Sequence, residues 1–192
     1  MAARMFSHVG CRAGLLDLGG NLYAWNRPPD QPAWTVGIRH PDDTERLIGT
    51  LQLANRGVAT SSNRLNSFTA GDTTYGHIMA AATGQPAVSD VIQATVIADS
   101  ATDADALATA MIVAGSKRAA EWLERATRVE AVLLVEGREG PFLLASTSLR
   151  DVLQIEPGFL QEVGGTIRFL LPPEQLGLTN LEGSAFRQNL LE

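Results

Sequence analysis

Apolar and polar positions along this chain mostly alternate over short runs, which is the spacing of strands. Residues 34–38, WTVGI, and 47–53, LIGTLQL, carry the period-two pattern of half-buried strands, joined by a turn at His40-Pro41-Asp42-Asp43. GLLD at 14–17 and LYAW at 22–25 flank the turn Leu18-Gly19-Gly20-Asn21, after which 26–32 is a proline-rich loop. Further strands are predicted over 57–61, 93–98, 131–135 and 142–145, the last two paired across a turn at 136–140, and over 166–171. Ala70-Gly71-Asp72 marks a hairpin tip from which 73–79 leads the chain back. Helices are expected at 2–9, after Ala98, and over 116–125. Nothing repeats and no linker divides the chain, so a single domain over 1–192 is expected. This pattern predicts an α+β fold, an antiparallel-rich sheet with helices packed on one face.

The segment 98–115, ADSATDADALATAMIVAG, is where this pattern first meets chemistry. It reads as a strand end, a polar turn and an Ala-rich helix. Ser100 and Thr102 are both candidate N-caps, followed three residues later by Asp103 and Asp105 respectively. Asp105 and Thr109 stand four apart and so share one helix face near its positive end. A carboxylate and a hydroxyl so placed can hold a hard cation such as Mg²⁺. They can equally cap, with Thr109 returning its hydroxyl to the carbonyl of Asp105.

Composition narrows the function classes. Hydrophobic residues make up 45% and charged residues 19%, a globular balance. A net charge of −6 argues against nucleic acid as the partner. No apolar run approaches the roughly 20 residues of a membrane span, and no signal peptide is visible at the N-terminus. Cys11 is the single cysteine, which excludes an internal disulfide. The three histidines, His8, His40 and His77, are too dispersed for a zinc site. P-loop, HExxH, GxSxG and dinucleotide GxGxxG signatures are absent.

Five fragments remain: LLDLGGN (15–21), WTVGIRHPDD (34–43), GVATSSN (57–63), YGHIMAAATGQP (75–86) and TVIADSATDADALATAMIVAG (95–115). In this order and spacing they resemble the C-terminal half of the ApbE family, the FAD:protein FMN transferases. That family shows a DLGGN-like turn, a VATSG-like strand, H-I-x-D-P-x-T-G-x-P and A-D-A-L-A/S-T. The resemblance covers about 9–137 and implies an ApbE-like, T-fold-like half, with 146–192 as a C-terminal packing extension. It implies FAD as substrate and Mg²⁺ as cofactor, with FMN passed to a Thr or Ser of an acceptor flavoprotein and AMP released. By the same resemblance Asp105 and Thr109 are the metal ligands and His77 the catalytic residue, contributing to nucleotide contact beside the Met79 backbone. Asp17, Gly19, Gly20 and Asn21 become a nucleotide-contacting turn, and 60–62 hydroxyls line the same cleft.

Two departures from the pattern bear on activity. Ala80 and Ala81 stand where the family has Asp and Pro, and Ser62 stands where Gly is usual. The family's N-terminal half, with its further FAD contacts, is expected upstream of the region matched here. Its absence predicts an apolar face that pairs with that half or with a second copy of the chain. The alternative is a non-catalytic remnant or flavin-binding module.

Overall fold

The computed structural model describes residues 2–64, 67–71, 73–165 and 167–170. Helix α1 (Ala2–His8) leads into the hairpin of β1 (Gly14–Leu18) and β2 (Asn21–Trp25). Gly19 and Gly20 form its tip at φ +68° and +94°, a left-handed conformation that side chains with a Cβ resist. The alternating segments become β3 (Trp34–Arg39) and β4 (Leu47–Leu53), paired antiparallel with Val36 opposite Leu51. Then come β5 (Arg56–Ser62) and two small hairpins, β6 (Phe68–Ala70) with β7 (Thr73–Tyr75) and β8 (Met79–Ala80) with β9 (Gln85–Pro86). The expected tip at 70–72 therefore separates β6 from β7, although Asp72 itself lies outside the described residues.

β10 (Val91–Ala98) is buried at every position and feeds α2 (Ala101–Ala114), which Gly115 ends at φ +80°. Next follow α3 (Ser116–Arg125), β11 (Glu130–Gly137), β12 (Gly140–Ser146), β13 (Leu153–Ile155), α4 (Pro157–Glu162) and β14 (Ile167–Leu170). Thr166 and Leu171, the expected ends of the last strand, are outside the described residues, as is everything after it.

Seven strands form the main sheet in the order β1-β2-β5-β10-β11-β12-β14, antiparallel except for the β12–β14 pair. Helices α2 and α3 cover one face. Their core joins Ala59, Val96 and Ala98 of the sheet to Ala104, Ala108, Met111 and Ile112 of α2. The predicted helix-covered face is thus present. The other face was not anticipated to carry a second layer, and it does: β13-β4-β3 forms a three-stranded sheet against it. Val58, Ile97, Val132 and Leu143 of the main sheet meet Val36, Ile38 and Leu51 there. The burial of β10 at all eight positions, Gln93 and Thr95 included, is the physical reason, since a strand buried on both faces needs cover on both. The segment 146–170 completes this sandwich: β13 pairs with β4, Phe159 of α4 is 3% exposed, and β14 pairs with β12. No helix among the described residues is long and apolar enough to cross a membrane.

Candidate functional site

The start of α2 is built by local capping. Ser100 Oγ accepts the Asp103 backbone N–H at 3.1 Å and donates to Asp103 Oδ2 at 2.7 Å, so Ser100, and not Thr102, is the N-cap. Gly57 lets the helix start close against β5: a Cβ on it would stand 2.2 Å from the Ala101 nitrogen. Arg56 ties the same corner down. Its guanidinium donates to the carbonyls of Ala98, Ile97 and Arg128 and pairs with the carboxylate of Glu130.

Seated this way, α2 runs back over β5 and brings Thr109 above Ser61, with Oγ1 and Oγ 3.0 Å apart. Thr109 therefore bonds across to the sheet and does not fold back on Asp105. Asp105, one turn earlier on the same face, is exposed and makes no hydrogen bond or ion pair among the described residues. Two hydroxyls thus meet on the helix-covered side of the sheet, with the Asp105 carboxylate one helical turn away on the same helix face. Ser61 is the member that sequence reasoning left out of the metal set. Its only signal is that it faces the helix when Thr60 does not.

These donors are hard oxygens, the class that Mg²⁺ prefers, and one or two carboxylates completed by water and substrate phosphate is its usual protein site. Among the described residues no cluster of three His, Cys, Asp or Glu exists. An all-protein cage is therefore not what these residues offer. Asp105, Thr109 and Ser61 fit an ion shared with a phosphate-bearing substrate.

His77 stands between two anchors at the same end of β5. Gly76 packs on the chain after β5, where a Cβ would come 2.9 Å from the Asn63 carbonyl oxygen, and Ile78 is buried in the α2-side core. His77 itself is exposed, and Met79 is half exposed, paired with Pro86. Asn63 Oδ1 is buried there without a hydrogen-bond partner among the described residues. The turn after Met79 closes despite Ala80 and Ala81, through Gly84 N–H to the Ala80 carbonyl at 2.9 Å.

The β1–β2 turn is level with this corner along the strands, because Leu22 pairs with Val58 and Tyr23 with Gly57. It opens to the other side of the sheet. Leu15 packs in the core between the two sheets, and Asp17, two residues on, shares its face. Asp17 Oδ1 accepts the Gly20 N–H at 2.8 Å and so shapes the turn. Asp17, Gly19 and Gly20 line a cavity of about 690 Å³ between the sheets, with Thr60, Gln93 and Thr95, while Asn21 begins β2 half-buried. Thr60 and Thr95 share a hydrogen bond of 2.8 Å, and Gln93 Nε2 donates to the Arg39 carbonyl at 3.0 Å. The expected single cleft is therefore two neighbouring places: the Asp105–Thr109–Ser61 corner near His77, and the inter-sheet cavity beneath the glycine turn. Alternation along β5 makes the division.

The Arg128 guanidinium, hydrogen-bonded to both Asp99 carboxylate oxygens, holds that carboxyl below its ordinary value, and Asp99 raises Arg128 in turn.

The ApbE family model matches residues 1–133. Similar curated proteins include the FAD:protein FMN transferase of Salmonella typhimurium, 26% identical over 136 residues, and that of Treponema pallidum, 32% identical over 131 residues. These alignments take in 70% and 64% of this chain but 39% and 36% of the relatives. The chain thus spans about two fifths of the length of the curated relatives it matches. Among solved structures, the apo flavinyl transferase ApbE of Pseudomonas stutzeri superposes with a TM-score of 0.60 at 25% identity, covering 86% of this chain and 48% of that one. The flavin transferase ApbE of Vibrio cholerae shares the fold with a TM-score of 0.65 at 24% identity, covering 78% of this chain and 47% of that one. With the family match running through two sheets, α2 and the Asp105–Thr109 face, the chain belongs to the ApbE family.

Proposed function

We propose that this chain carries the metal-binding and proton-handling side of a Mg²⁺-dependent transfer of FMN from FAD to a Thr or Ser of an acceptor protein, with release of AMP. The observation that carries this reading is the oxygen triad of Asp105, Thr109 and Ser61 beside the His77 segment. Relatives named FAD:protein FMN transferase supply the reaction class.

The acceptor hydroxyl oxygen forms a new bond to the flavin-side phosphorus. The bond from that phosphorus to the bridging oxygen breaks, and AMP leaves with that oxygen. Mg²⁺, when bound, neutralises the pyrophosphate and the charge that develops on AMP. Asp105, Thr109 and Ser61 would hold this ion, with the diphosphate oxygens completing its oxygen ligands. His77 takes the hydroxyl proton at an imidazole nitrogen. The Met79 backbone and the 17–21 turn contact the nucleotide.

A second reading has its own support. The turn 80–84 closes without the family's Asp and Pro, leaving no carboxylate at those positions beside His77. In that reading the chain is a flavin-binding module that pairs with itself or with a polypeptide supplying the rest of the relatives' length.

AMP release from FAD, measured with and without Mg²⁺, separates the two. The transferase reading expects metal-dependent release that Asp105→Ala abolishes while the thermal unfolding profile stays unchanged. No release from folded wild-type chain refutes it and leaves the module.

A further inference from the structure

The inter-sheet cavity and the Asp105–Thr109–Ser61 corner are on opposite faces of the main sheet, yet they communicate. β2 begins at Asn21 and pairs with β5 from Leu22 opposite Val58 to Ala24 opposite Arg56, whereas β5 runs on to Ser62. Thr60, Ser61 and Ser62 therefore extend past the end of β2, and among the described residues they pair only with β10. The Gly19–Gly20 turn borders this opening, and a Cβ on either glycine would meet nothing within 4 Å. Thr60 on the cavity side and Ser61 on the helix side are consecutive, about 3.3 Å apart along the strand. A ligand that rounds the end of β2 reaches both.

The cavity, about 690 Å³, has ordinary ligand size and a buried polar wall. Gln93 is 3% exposed and Thr95 1%. Gln93 Nε2 donates to the Arg39 carbonyl at 3.0 Å, which fixes the amide orientation, since only its N–H side can face a carbonyl. This is the one hydrogen bond of Gln93 among the described residues, so Oε1 is left as an acceptor on the cavity wall. Thr60 and Thr95 share one hydrogen across their 2.8 Å contact, and the second hydroxyl hydrogen is left to donate. Leu15, Leu22, Val36, Ile38 and Val58 supply an apolar lining, while the charged members, Asp17 and Arg39, are exposed.

A buried acceptor near a donor, among apolar side chains, complements a flat ring with one polar and one apolar end. The isoalloxazine of a flavin has this form: its dione edge holds N3–H between two carbonyls, and its far end is a dimethylbenzene. Adenine carries nitrogen along most of its edge and lacks the apolar end. We propose that the flavin ring of FAD enters the inter-sheet cavity, with N3–H donating to Gln93 Oε1 and an adjacent carbonyl accepting from the Thr60–Thr95 pair. The ribityl chain rounds the end of β2 beside Gly19 and Gly20, and the diphosphate reaches Asp105, Thr109 and Ser61. The inference rests on the proposed function for the identity of the ligand.

Equilibrium dialysis of the whole chain against FMN, N3-methyl-FMN and AMP tests it. N3-methylation removes the donor without altering the protein, and is expected to weaken binding about tenfold or more by leaving buried Oε1 unpaired. Gln93→Leu is expected to weaken FMN by a similar factor and to bind both flavins alike. The comparison of the two flavins needs no variant, so it stands whether or not Gln93→Leu folds. Equal binding of FMN and N3-methyl-FMN by wild type overturns the proposal, as do a discrimination that Gln93→Leu retains and a chain that binds no FMN. AMP binding that Gln93→Leu weakens puts adenine in the cavity and overturns it too. AMP release from FAD separates the two ideas: a chain that discriminates the flavins but releases no AMP refutes only the transferase. One that releases AMP without discriminating refutes only the ring site.

Discussion

Gly57→Ala tests how α2 comes to lie where Thr109 meets Ser61. The added methyl would sit 2.2 Å from the Ala101 nitrogen, 2.3 Å from the Ser100 carbonyl carbon and 2.6 Å from its oxygen. All three are backbone atoms, so no rotamer change can relieve the contact. Either β5 or the helix start must move by about 1 Å, an overpacking strain of the kind that costs about 1–3 kcal/mol. β5 is held on both sides, by β2 through Tyr23 opposite Gly57 and by β10 through Ala98 opposite Gly57. The helix start is the freer partner and moves, which lengthens the 3.0 Å Thr109–Ser61 contact one end of which it carries. With a urea m-value of about 2 kcal/mol/M, the midpoint falls by about 0.5–1.5 M. Any Mg²⁺-dependent AMP release falls further, toward a hundredfold for about 1 Å of misplacement. Urea titration followed by circular dichroism reads the first effect. A midpoint within about 0.2 M of wild type would refute the argument that close approach at Gly57 seats the helix.

Ser100→Ala removes the N-cap of α2 and is expected to cost about 1 kcal/mol by urea titration, most of which Ser100→Asp retains. Asp99→Asn has a signed pH dependence. Because Arg128 lowers the Asp99 carboxyl in the folded state, the pair stabilises above the unfolded carboxylate pKa, and that contribution is lost as pH falls through the lowered folded value. Wild type should therefore exceed Asp99→Asn slightly in urea midpoint near neutrality and match it in strong acid. Added salt should shrink the difference, since the pair is on the surface.

Local signals placed most of the elements. Gly19-Gly20 sets a hairpin because few other residues accept the positive φ of that tip, and the alternation over 34–38 and 47–53 states which side chains turn inward. The Ser100 cap and the Asp105–Thr109 spacing are likewise short-range properties, readable from the chain alone. So was the family, because five fragments keep their order whatever the packing. The sequence did not say what each inward face packs against. A burial pattern reports that a surface is covered and leaves the cover unnamed, so the small sheet over β10 emerged only from strand order. Ser61 and Thr109 lie 48 residues apart, and their meeting depends on the register of β5 with β10 and on Gly57 under the helix start. The same register, through a period of two, sends Thr60 to the cavity and Ser61 to the helix, dividing one expected cleft into two places. The chain by itself determined which atoms are available for chemistry. The tertiary structure decided which of them meet, because contacts between distant segments depend on the registers and layers of the whole sandwich.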